Sequence, residues 1–124
     1  MGVDLEIIRD YCLAKAGTSE SFPFDEHTLV FKLMGKMFAI IPLERLPLQI
    51  NLKCDPEEAI DLRDRYPESI LPGYHMNKQH WNTVILESDL NESLIKKLVD
   101  HSYELIKSKL PKKVLAELAL LEKE

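Results

Sequence analysis

Apolar and polar residues alternate most cleanly between Leu48 and Cys54. On a strand, Leu48, Ile50, Leu52 and Cys54 point one way and Gln49, Asn51 and Lys53 the other. One dry face and one wetter face predict a strand of an antiparallel sheet. Upstream, Thr28 to Met34 alternates as well. Gly35-Lys36 then reads as a two-residue type II′ loop leading into a return strand, Met37 to Ile41. That loop sets Met34 against Met37, Leu33 against Phe38 and Phe31 against Ile40, which assigns Phe31, Leu33, Phe38 and Ile40 to the core. Phe22-Pro23-Phe24-Asp25 enters the sheet region, with Pro23 suited to an edge or a turn. Tyr74 to Leu86 supplies one or two more strands, bent around Lys78 to Asn82.

Helical periodicity fills the remainder. A first helix runs from about Asp4 to Ala16, with Leu5, Ile8 and Cys12 on one stripe and Gly17 as its stop. Asp55-Pro56-Glu57-Glu58 is a helix start: an N-cap Asp, Pro at the first position and acids in the first turn. Pro67 ends that helix near Tyr66. Asp89 or Asn91 caps a long helix to about Leu110, whose Leu94, Ile95, Leu98, Val99, Leu105 and Ile106 are spaced to face a sheet. After Pro111, Val114 to Leu121 is a short amphipathic helix, docked on the domain or on another copy. Antiparallel strands interleaved with helices define an α+β fold with about five strands, with a domain over residues 1–113 and a helical extension over 114–124.

The 124 residues, 45% of them hydrophobic, suit one globular core, and the short apolar runs exclude a membrane span. The acidic, amphipathic N-terminus is unlike a secretory signal, so a cytoplasmic protein is expected. Cys12 and Cys54 lie far apart and form neither a disulfide framework nor a metal motif along the chain. The net charge of −5 argues against nucleic acid, but it is unevenly spread. Residues 55–68 carry six acids and two arginines, whereas residues 96–113 carry six lysines and two acids. One side of the domain is thus expected to be electropositive, unless both segments are solvated helix faces.

Candidate chemistry concentrates in Pro72 to Val84, PGYHMNKQHWNTV. His75 and His80 are five apart and point oppositely on a straight strand, so they form no metal pair, and no cofactor is expected. No nucleophile motif accompanies them, so the reading is non-enzymatic. His75, Asn77, Lys78, His80 and Trp81 offer donors and a stacking surface for phosphates and bases. Lys32, Asn51 and Lys53 extend that surface from the neighbouring strands. An alternative is a small-molecule or protein site near Trp81, between the Phe22–Asp25 and His75–Trp81 segments. The structural alternative makes Trp81 a core anchor, with His75, Asn77 and His80 fastening a strand crossing.

Several segments in order resemble the MmcQ/YjbR-like family of small bacterial proteins: Tyr11-Cys12-Leu13, FPFD at Phe22, LVFK at Leu29, GKMFA at Gly35, INLKCDPE at Ile50, PGYHMNKQHWNTV at Pro72 and DHSYELIKSKLPKK at Asp100. The resemblance implies a CyaY-like, secretion-chaperone-like α+β sandwich. It also implies DNA binding through likeness to a double-wing arrangement. It brings no catalytic residues with it.

Overall fold

A computed structural model describes residues 3–73 and 76–123. The helices are α1 (Leu5–Leu13), α2 (Pro56–Arg65), α3 (Glu92–Lys107) and α4 (Lys112–Glu122). The strands are β1 (Thr18–Ser21), β2 (Thr28–Leu33), β3 (Lys36–Pro42), β4 (Gln49–Lys53), β5 (Ile70–Pro72) and β6 (Trp81–Ile85). The described strands form one antiparallel sheet of six, ordered β1-β2-β3-β4-β6-β5. Two strands lie where none was expected: β1, whose TSES sequence has no apolar alternation because it is a short edge, and β5, which precedes the Tyr74–Leu86 stretch; that stretch itself supplies β6.

The helix starts follow local rules. Asp4, Asp55 and Asn91 each cap their helix by accepting a backbone N–H, and Pro56 occupies the first position of α2. The α1 helix stops at Leu13, one turn before Gly17, whose φ of +73° turns the chain into β1. The long α3 lies across β3 and β4 and inserts Ile95, Val99, Tyr103 and Ile106 into the core. They meet Leu29, Phe31 and Leu33 of β2, Phe38 and Ile41 of β3, and Ile50 and Leu52 of β4. Each such fully buried side chain contributes about 1.5–3 kcal/mol. The C-terminal α4 folds back on the same domain, burying Leu118 beside Gly17.

The hairpin register differs from the expected one. Its loop is Met34-Gly35, with φ of 47° and 88°, the two left-handed values that a type I′ turn requires. Leu33 therefore pairs with Lys36 and Lys32 with Met37; a bulge then lets Phe31 pair with Ala39. The bulge keeps Phe38 in the core with Tyr103, ring centroids 5.5 Å apart. It moves Ile40 off the helix-covered face and onto the opposite one, where it stays buried beside Asn51 of β4. No described helix is long and apolar enough to cross a membrane.

Candidate functional site

The sheet face away from α3 has no helix among the described residues packed on it, yet Gln49, Asn51 and Thr83 there are buried. Loops roof it instead. Phe24, from the β1–β2 loop, and Met76, from the β5–β6 connection, enclose a hollow of about 460 Å3 together with Met37, Ile40 and Pro42. Thr28, Arg45, Gln49 and Asn51 supply its polar groups. The Asn51 Oδ1 accepts from Thr83 Oγ1 at 2.5 Å, and Gln49 Nε2 donates to Pro47 O at 3.0 Å, so both floor amides are held in fixed orientations. A second hollow of about 270 Å3, between Leu46, Leu71 and Thr83, shares Arg45 and Gln49 with the first. Phe24 (62% exposed) and Leu46 (81%) stand at the rims, so apolar surface faces solvent there.

The residues singled out in the sequence are divided among three jobs. His75 lies outside the described residues. Asn77 builds a turn: its Oδ1 accepts from Gln79 N–H at 2.9 Å, and its carbonyl accepts from the N–H groups of His80 and Trp81 at 3.2 and 2.9 Å. Lys78 closes the same connection, with Nζ 3.3 Å from Gly73 O and its carbonyl accepting from Arg63 Nη2 at 2.7 Å. His80 is half-buried and its carbonyl accepts from Cys54 N–H at 2.7 Å, which prolongs the β4–β6 ladder. Trp81 is half-buried on the loop-covered face, opposite Lys53 and diagonal to Asn51. Gly73 passes so close that a Cβ there would lie 2.9 Å from Trp81 Cβ.

Several of the lysines stand in ion pairs. Lys96 pairs with Glu92 at 2.9 Å and Lys107 with Glu122 at 3.0 Å. Lys15 pairs with Asp100. Lys32 projects from the loop-covered face of β2, in register with Met37. Lys53 meets Lys109 from the α3–α4 link; burial first, and then that neighbouring ammonium, hold its pKa below the usual lysine range. The fold thus brings Lys53 and Lys109 together.

A further group was not visible in the spacing of residues. Cys54 follows β4, Glu58 lies in the first turn of α2, and His101 lies mid-way along α3. Their ligand atoms fall within 4.8 Å of one another. Burial pushes the Cys54 thiol up to about 11; the Glu58 and Asp55 charges add to this, and Arg63 opposes it. The 47-residue gap between Cys54 and His101 hides the group in the sequence. Only the docking of α3 across β4 creates it.

A six-stranded antiparallel sheet with helices on one face and a loop-roofed hollow on the other defines a small α+β domain. The chain belongs to the YjbR family, whose model matches residues 13–105. It is 39% identical over 92 residues to the uncharacterized protein YbdF of Escherichia coli O157:H7, covering 74% of this chain and 75% of that protein. It is 37% identical over 102 residues to the uncharacterized protein YjbR of Escherichia coli K12, covering 82% and 85%. Among solved structures it is similar to Deinococcus radiodurans protein DR2400, of domain family DUF419, with a TM-score of 0.86 and 39% identity over 93% of this chain and 87% of that one.

Proposed function

We propose that this domain is a non-enzymatic, cytoplasmic binding module that takes a small ligand into the hollow between Phe24 and Met76. The observation that carries the reading is the hollow itself. Its volume of about 460 Å3 and its mostly apolar walls with a few fixed polar groups match the usual make-up of small-molecule sites. Its chemistry suits a ligand with an apolar or aromatic body against Phe24, Met37 and Ile40, and a hydrogen-bonding or anionic end toward Asn51, Gln49 and Arg45.

Amide NMR mapping with small aromatic and aliphatic carboxylates tests this. Shifts should move at Thr28, Ile40 and Asn51, and Ile40→Glu should abolish them. Shifts confined to other surfaces, or unchanged in that variant, defeat the reading.

A second reading, DNA binding, rests on the meeting of Lys53 and Lys109 and on the resemblance to double-wing folds. It predicts salt-dependent binding to duplex or single-stranded DNA, weakened by Lys53→Ala. Absence of binding at low salt up to ~100 μM ends it, since non-specific binders usually reach about 10⁻⁴ M.

A further inference from the structure

Cys54, Glu58 and His101 gather sulfur, oxygen and nitrogen donors from three different elements around one point. The His101 Nε2 has two neighbours with opposite demands. It accepts from Asp55 N–H at 3.1 Å, which needs its lone pair, and it lies 3.1 Å from Glu58 Oε2, which calls for a proton or a cation between them. That N···O separation is close to what two ligands at about 2.0–2.1 Å from one metal span across a tetrahedral corner.

An independent observation points to the same place. A hollow of about 10 Å3 is lined by Cys54, His101 and Asn82 among others, roughly enough for one water. Asn82 is 2% exposed, and its Oδ1 has no hydrogen-bond partner among the described residues. A buried acceptor left in this state is costly unless a ligand or water completes it.

We propose that Cys54, Glu58 and His101 bind a divalent cation of the zinc class, with Asn82 Oδ1 accepting a hydrogen bond from a water in the fourth position. The mixed S, N and O donor set suits a borderline-soft ion rather than calcium or magnesium. Binding releases the thiol proton of Cys54 to solvent as the sulfur–metal bond forms. Three protein ligands and a water would make this an open site, not a closed structural one.

The test uses the full chain, titrated with Zn2+ by calorimetry and with Co2+ by absorption. The expected result is one ion per chain with Kd of about 1 μM or tighter, and a thiolate-to-cobalt charge-transfer band. Glu58→Gln, at an exposed position that leaves the core intact, should weaken Zn2+ binding at least about tenfold. Cys54→Ser should remove the band. No charge-transfer band on the unaltered protein overturns the proposal, whatever the folding of the variants. Zn2+ binding that is unchanged in both Glu58→Gln and His101→Ala, and lost instead with His27→Gln or His80→Gln, also overturns it, since that marks a surface histidine.

Discussion

Cys12 couples this fold to pH. It is fully buried, and burial pushes its thiol from 9.0 up to about 12. The folded chain therefore keeps the proton while the unfolded chain releases it above about pH 9. The associated stability is complete below about pH 9 and is lost as pH rises toward 12. Tyr11 acts in the same direction. Burial and the 2.6 Å hydrogen bond that it donates to Asp100 raise it to about 12. Urea unfolding across the alkaline range should show stability falling above about pH 9. In Cys12→Ala the fall should be shallower by about 1.4 kcal/mol per pH unit. Equal slopes in the two proteins would show that the thiol does not carry the effect. The burial of Cys12 follows from its place beside Ile8 on the apolar stripe of α1, which the sequence showed.

Between elements, Ser102 is the pin. Its hydroxyl donates to Phe38 O at 2.6 Å and accepts from Lys53 N–H at 2.9 Å, so one buried side chain of α3 ties β3 at its bulge to β4. Ser102→Ala leaves both backbone groups without that partner and should cost about 2–4 kcal/mol in chemical denaturation. A loss below about 1 kcal/mol would mean that water replaces it. The bulge is also where sequence reading failed. Caps, prolines and alternation are local, so α2, α3 and the two faces of β4 were legible from composition and spacing alone. A bulge is not local: it is stabilised by the ring of Tyr103 packing on Phe38, 65 residues away. Strict alternation through Phe38 therefore put Ile40 on the helix-covered face. The turn was misplaced for a similar reason, because Met34 takes a left-handed conformation that its side chain gives no cause to expect.

For the molecule as a whole, α4 is the piece that completes one end of the core. Leu118 is fully buried, and its Cδ1 lies 2.7 Å from where a Gly17 Cβ would be. Leu118→Ala should destabilise the domain by about 2–5 kcal/mol. A change near zero would mean that the helix is only laid on the surface. Of the Pro72–Val84 segment, Met76 lines the hollow together with Phe24. Asn77 and Lys78 are occupied in building the connection, and the floor of the hollow comes from β3 and β4. Which loops meet over a sheet is decided by strand order, and that order is absent from any single stretch of sequence. The strand order has one more consequence, for self-association. The sheet is bounded on one side by polar β1 and on the other by β5, three residues long and ending in Pro72, which has no N–H to offer a newcomer. Neither border is a good template for fibril growth or for a peptide seeking to join the ladder. Both borders of the sheet are thus guarded against the addition of a further strand.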